Sequence, residues 1–281
     1  MNEYLKEDES LKERVREFWN AKSCGEVYAE GESQADKLKN QAKQRYIIEP
    51  GIADFAGFAA GRDKDILEIG VGMGADHLEW AKAGPKSLTG IDLTERAIQF
   101  TKNRLAYYGL SSDLRVADAE KLPFADDSFD IVYAYGVLHH SPDTTKAIRE
   151  VYRVLRPGGA AKIMIYHSHA VVAYLLWLRY GLFAGRPFRS LADVYAHHLE
   201  SPGTKGYTES EARAIMLPFP SIDIRIGLGP GDLLEGSVGQ RHRGALLSLA
   251  KAVWPRWFIR RAMKNHGGAL LITALKGGAG S

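Results

Sequence analysis

The chain has one cysteine, little net charge and no long hydrophobic run. Cys24 stands alone among 281 residues, which excludes an intrachain disulfide framework and a cysteine-rich zinc site. The formal charge of +3 is too small to argue for a nucleic-acid partner by itself. The longest apolar run, Ala170 to Leu178, is too short to span a bilayer. The opening MNEYLKEDESLKERVREFW is charged throughout and does not read as a secretory leader, so a cytoplasmic location is the expectation. No internal repeat is visible. What the chain does have is apolar material: 45% hydrophobic residues beside 25% charged ones build a core and exclude wholesale disorder. Its length suits one α/β core with an added cap.

Charge is unevenly placed. Beyond Glu235 no acidic residue occurs, while Arg241, Arg243, Lys251, Arg256, Arg260, Arg261, Lys264 and Lys276 follow. Those eight positive charges leave everything before them at −5. Residues 4–20 read as an amphipathic helix, 20–31 as a loop, and 32–46 as polar and helix-permitting. From Asp65 the character changes. DILEIG, SLTGIDL, LRVADA, FDIVYAYGVL and AAKIMIY are short runs rich in β-branched and aromatic residues, separated by helical segments at 74–83, 94–108 and 144–155. That alternation predicts βαβ units and a doubly wound, mostly parallel sheet, with its ligand site at the strands' carboxyl ends.

From 170 to 206 the alternation stops. Residues 170–183 predict a helix that is apolar nearly all round, broken by Arg179. Thr208 and Glu211 form a capping box for a helix at TESEARAIM. SIDIRIGL and GALLITALK predict two closing strands. The expected organisation is an N-terminal helical cap over 1–60, a cofactor-binding core over 61–169, an inserted cap over 170–206, and a closing part of the core over 207–281.

Gly70, Gly72 and Gly74 lie between a strand and a helix, where glycine permits a tight turn and the close approach of a ligand. Asp92 ends the next strand, 18 positions after Gly74, placed to accept hydrogen bonds from ribose hydroxyls. A dinucleotide and S-adenosylmethionine both fit so far. Glu68 just before the glycines suits an ammonium and a sulfonium better than phosphates. Asp118-Ala119 ends the third strand, where a carboxylate can accept the exocyclic amine of adenine.

With FDIVYAYGVLHHSPD at 129–143 and RVLRPGG at 153–159, these segments resemble the class I S-adenosylmethionine-dependent methyltransferases. More narrowly they are similar to the branch that includes ubiquinone/menaquinone C-methyltransferases and many natural-product and sugar O-methyltransferases. The resemblance is ordered and covers roughly residues 65–165. It implies a Rossmann-like methyltransferase fold with seven strands, an N-terminal helical cap and a helical insertion after the fifth strand. It implies S-adenosylmethionine as cofactor, with Gly70, Gly72 and Gly74 along its methionine part. By the same resemblance Asp92 binds ribose beside Leu93, Asp118 and Ala119 hold adenine, and Tyr135 faces the methyl group. Tyr46 is the candidate to close over the cofactor from the N-terminal cap.

Methyl transfer relies on proximity, orientation and exclusion of water, and needs a base only where the nucleophile must lose a proton. His139 and His140 follow the fourth strand at the mouth of the site. In sugar O-methyltransferases of this branch one such histidine works with an acidic residue just after the fifth strand. Here KIMIYHSH supplies no carboxylate and puts His167 and His169 in that region. The expected catalytic set is His139, His140, His167 and Tyr135, and no metal is expected because the histidines lack acidic partners at ligand spacing. Nucleic-acid amino methylation is disfavoured, since Tyr135-Gly136-Val137-Leu138 departs from the Asn/Asp-Pro-Pro-Tyr/Phe turn of those enzymes. The reading is a methyltransferase for a small, apolar or amphipathic acceptor, O-methylation favoured slightly over C-methylation. RNA or protein methylation and a non-catalytic cofactor-binding module are the alternatives. Trp254, Trp257 and Phe258 interleaved with Arg256, Arg260 and Arg261 allow peripheral contact with an anionic membrane, though a solvated helix face accounts for them equally.

Overall fold

A computed structural model describes residues 3–235, 251–252 and 254–278. Each apolar run pairs in parallel with its neighbour because a helix carries the chain back over the sheet between strands. β1 (Asp65–Ile69), β2 (Ser87–Asp92), β3 (Asp113–Val116), β4 (Phe129–Tyr135) and β5 (Leu155–Tyr166) make the parallel part. β6 (Ser221–Gly227) and β7 (Ala269–Leu275) close the sheet antiparallel. The seven strands lie in the order β3-β2-β1-β4-β5-β7-β6, the doubly wound arrangement expected. Strand order reverses between β1 and β4, which places a ligand crevice at their carboxyl ends. Every residue of β1 is buried, as a strand covered on both faces requires.

The last two strands are ordered by their composition. In β7, Leu270, Ile272 and Ala274 are fully buried, and the strand lies inside the sheet between β5 and β6. β6 alternates isoleucine with Asp223 and Arg225 and takes the edge, where one face meets solvent. β5 begins at Leu155, five residues before the expected strand, and RPGG bulges between the pairs Phe129–Leu155 and Ile131–Ala160.

The helices α4 (Ala75–Lys82), α5 (Glu95–Tyr107) and α6 (Thr144–Val154) connect these strands. α6 buries Ala147, Ile148, Val151 and Val154, a helical stripe that joins the core formed by Val132, Ile163 and Ile272. Asp143 starts it by accepting from the Lys146 amide at 2.9 Å. Before the sheet come α1 (Glu3–Ala21), α2 (Gln34–Ile48) and α3 (Ile52–Ala56). Arg104 of α5 is buried and donates to the Met73 carbonyl at 2.7 Å and the Leu38 carbonyl at 3.0 Å, tying α2 to the turn after β1. Burial lowers its pKa to about 10, so it stays charged at neutral pH.

The inserted cap holds α7 (Val171–Trp177) and α8 (Leu191–His198). The single helix expected over 170–183 is instead regular only to Trp177 and then winds wider over Leu178–Leu182. Trp177 anchors this break, its indole N–H donating to the Arg189 carbonyl at 2.8 Å as the chain folds back. The segment, apolar nearly all round, is buried on one side only. Val171, Ala173 and Leu176 are buried while Leu182 and Phe183 are exposed. α9 (Glu209–Ile215) starts at the expected Thr208–Glu211 capping box. α10 (Pro230–Leu233) and α11 (Arg256–Ala262) precede β7. Arg241, His242 and Arg243 of the basic tail lie outside the described residues. No helix among the described residues is long and apolar enough to cross a membrane.

Candidate cofactor and acceptor site

The carboxyl ends of β1, β2 and β4 open on one cavity of about 200 Å³ that is partly open to solvent. After β1 the chain turns through Gly70, Gly72 and Gly74, all left-handed, with φ of +79°, +51° and +72°. A Cβ on Gly70 would stand 2.2 Å from Val137 Cγ2, so the turn can pack on the exit of β4 only without a side chain. A Cβ on Gly72 would meet nothing within 4 Å, because this residue faces open space in the cavity it lines.

β2 delivers Asp92 to the same cavity. Its Oδ1 accepts from the Thr94 amide at 2.9 Å and the Thr94 hydroxyl at 2.8 Å, and its Oδ2 from the Gly72 amide at 3.1 Å. Thr94 also caps α5, so the helix start and the carboxylate hold each other in place. Asp92 is deep in the protein, and that burial raises its pKa against the opposing hydrogen bonds.

Deeper in the wall, Asp76 accepts from Arg45 Nε at 2.9 Å, the Tyr46 hydroxyl at 3.1 Å and the Tyr133 hydroxyl at 2.9 Å. Burial alone would push Asp76 up, but the Arg45 charge and these donors hold it low. Glu68 meets His77 Nδ1 at 2.9 Å, both side chains buried. Burial raises the Glu68 carboxyl and lowers the His77 imidazole to about 3, so the ring is uncharged at physiological pH.

At the opposite end, Tyr135 on β4 and Tyr166 on β5 donate to Glu49 at 3.0 Å and Glu200 at 2.8 Å. Glu200 also stands 3.3 Å from His140 Nε2. Trp19 of α1 packs edge-on against the His140 ring, at 5.3 Å between centroids. Lys12, also on α1, bonds Asp118 at 2.7 Å and Glu120 at 2.9 Å and so latches that helix over the β3 side of the cavity.

The charge of this wall tests the cofactor. Among the described residues it carries Glu49, Glu68, Asp76, Asp92, Asp118 and Glu200 against the cations Lys12 and Arg45. S-adenosylmethionine, with an ammonium and a sulfonium against one carboxylate, suits such a surface; a pyrophosphate does not. The left-handed glycine turn and an inward carboxylate fit its methionine and ribose parts. A family model described as a methyltransferase domain matches residues 67–163. The chain carries a methyltransferase domain.

Over 98 residues the chain is 42% identical to 27-O-demethylrifamycin SV methyltransferase of Amycolatopsis mediterranei, covering 34% of this chain and 35% of that one. A stretch of 114 residues is 36% identical to a ubiquinone/menaquinone biosynthesis C-methyltransferase of Geotalea daltonii, covering 39% and 48%. The chain therefore spans between a third and a half of these curated relatives. A Haemonchus contortus phosphoethanolamine N-methyltransferase, solved with S-adenosylhomocysteine, shares the fold at a TM-score of 0.60 and 17% identity over 94% of this chain and 60% of that one.

The methyltransferase domain brings most of the expected residues to the cavity. Glu68, Gly70, Gly72, Gly74, Asp92, Leu93, Asp118, Ala119, Tyr135 and His140 all line it. Three do not. Tyr46 turns its hydroxyl onto Asp76, and Arg45 beside it on α2 and Glu49 at the end of that helix face the cavity in its stead. His139 is fully buried, its ring tilted against Tyr166 at 4.0 Å between centroids, and burial lowers its pKa well below the ordinary value. His167 bonds the Gly267 carbonyl at 3.0 Å and fastens the end of β5 to the approach of β7. Asp118 reaches the cavity with both oxygens engaged, one by Lys12 and the other by the Glu120 amide at 2.9 Å.

Sequence reasoning missed Lys12, Arg45, Glu49, Tyr166 and Glu200. Arg45 and Glu49 are four apart in sequence, a spacing that shares one helix face and was the available signal. Glu200 had none, because it reaches His140 from the inserted cap. His139, His140 and Glu200 are also the one group among the described residues able to hold a metal ion, with ligand atoms within 4.8 Å of one another. Bonds of about 2.1 Å ask for ligands about 3.4 Å apart, so this set is looser than a formed site.

Proposed function

We propose that the chain transfers a methyl group from S-adenosylmethionine to a small, apolar or amphipathic acceptor through an oxygen that loses its proton to His140. When bound, S-adenosylmethionine supplies an electrophilic methyl carbon on a sulfonium. Gly70 to Gly74 and Asp92 would hold its methionine and ribose parts, and Asp118 with Leu93 its adenine. The acceptor end is walled by Trp19, Tyr135 and Tyr166.

The observation that carries the reading is the state of His140. Its Nδ1 lies 3.1 Å from the Thr204 hydroxyl oxygen and 2.8 Å from that of Ser201. We take Nδ1 as the protonated nitrogen, facing the Ser201 hydroxyl oxygen and that of Thr204, whose own proton goes to the Ser201 carbonyl at 2.7 Å. Nε2 then presents a lone pair, buried and without a hydrogen bond, beside the Glu200 carboxylate. A proton arriving at Nε2 is stabilised by Glu200, which makes a base with its acidic partner in place. His140 Nε2 would take the proton of the acceptor hydroxyl, freeing its oxygen for the methyl carbon that the cofactor would supply, while Glu200 would hold the resulting imidazolium. An oxygen acceptor is favoured over carbon because this pair serves a nucleophile that must be deprotonated.

The test is S-adenosylhomocysteine release with phenols, quinols, hydroxy acids and sterols as acceptors. His140→Gln and Glu200→Gln should each lower kcat roughly 100-fold or more and shift the pH profile, with cofactor affinity intact. Full turnover in His140→Gln would mean that another group takes the proton, or that the acceptor arrives already ionised.

A further inference from the structure

We infer that the tip of the inserted cap is a docking face for an anionic lipid surface. The inference rests on the proposed acceptor class only for what docking would deliver. The wide turn after α7 runs into a loop in which every residue from Leu182 to Phe188 is exposed. Phe188 is 100% exposed, Phe183 77% and Leu182 44%. Three large apolar side chains within seven residues, all facing water, form a patch that the fold itself does not cover.

Exposed charge in the loop itself is positive, and the nearest acid, Asp193, is paired with Arg189 and His197. Arg179 and Arg186 are exposed beside it, and the sequence holds no acidic residue from Val151 to Ala192. At its other end α7 packs on α11, with Ile259 buried against Val171. α11 repeats the pattern, exposing Trp257 at 75% and Phe258 at 51% beside Arg261. Aromatic side chains that insert and arginines that meet headgroups are the composition of an interfacial anchor. RNA would gain from the charge but leave the phenylalanines in a convex loop with little to enter.

The same cap reaches the acceptor site from its inner side. Ala170 and Ala173 of this segment pack with Tyr195 and with Tyr166, which lines the cavity and donates to Glu200. The patch and the acceptor end thus lie at opposite ends of one helical segment, about ten residues or roughly 15 Å apart along its axis. A protein seated this way takes an amphipathic alcohol or phenol from the lipid phase.

Sedimentation of the full chain with phosphatidylcholine vesicles, with and without phosphatidylglycerol, tests this directly. The wild-type protein should pellet with the anionic vesicles and lose binding at high salt. Phe183→Ser with Phe188→Ser should weaken binding roughly tenfold or more. Trp257→Ser should weaken it separately. Unchanged S-adenosylhomocysteine affinity in these variants would show that they are folded, and a lack of methyl transfer would leave the vesicle result standing. No binding to anionic vesicles, or equal binding by the double variant, would overturn the inference. So would a dimer in gel filtration that the double variant abolishes, since a second copy would then cover the patch.

Discussion

Alanine at Gly70 and at Gly72 should separate the fold from the ligand. Both glycines are left-handed, a conformation that costs an alanine about 1–2 kcal/mol. At Gly72 that is the whole cost, since the new Cβ meets nothing within 4 Å. At Gly70 the Cβ would stand 2.2 Å and 2.8 Å from the two methyls of Val137, adding about 1–3 kcal/mol of overpacking. Gly70→Ala should therefore lower stability by roughly 2–5 kcal/mol and Gly72→Ala by no more than about 2. Binding should rank the other way relative to damage. Gly72→Ala places a methyl where the methionine part of the cofactor would lie, and should weaken S-adenosylhomocysteine at least about tenfold in a folded protein. Urea unfolding and calorimetric titration of the same samples read both quantities. Wild-type affinity in a well-folded Gly72→Ala protein would refute the placement of the ligand against this turn.

Two further perturbations act on buried groups nearby. Asp92→Asn keeps the size of the side chain but removes its charge, and should weaken S-adenosylhomocysteine by about 1.5–3 kcal/mol, roughly 10- to 100-fold; unchanged affinity would refute the ribose assignment. His77, lowered by burial to about 3 from an ordinary 6.5, stays neutral in the fold while the unfolded chain takes up a proton. Its contribution is whole above pH 6.5 and is lost as pH falls toward 3, at up to about 1.4 kcal/mol per pH unit. Glu68, raised by burial, acts in the opposite sense above its ordinary value, so the two offset in the wild type. The difference between wild type and His77→Gln isolates the histidine, and parallel stability curves for the two from pH 7 to 4 would contradict the assignment.

Much of this architecture was legible because local signals and the fold agree. Alternation of apolar runs with helical segments gave the parallel sheet, and the Thr208–Glu211 box marked the start of α9. The glycine turn, Asp92 and Asp118 reach the cavity because strand ends in this topology have nowhere else to go. What failed was the choice of face and the long-range contact. α2 is polar on most sides, burying only Leu38 and Gln41, so the four-residue spacing of Arg45 and Glu49 put them on one face without showing that this face, rather than that of Tyr46, turns inward. Glu200 meets His140 across sixty positions of chain, through the inserted cap, and no spacing encodes that. His167 had the right sequence position for a base, but β7 lies beside β5 and the Gly267 carbonyl claims its ring.

The central claim is that the cavity between the glycine turn and His140 holds S-adenosylmethionine. Calorimetric titration of the purified chain with S-adenosylmethionine and S-adenosylhomocysteine, with NADH alongside, tests it most directly. The account predicts micromolar binding of both sulfur ligands and none of the dinucleotide, which the acidic wall repels. Binding of NADH in their place, or no binding of either sulfur ligand, would contradict it.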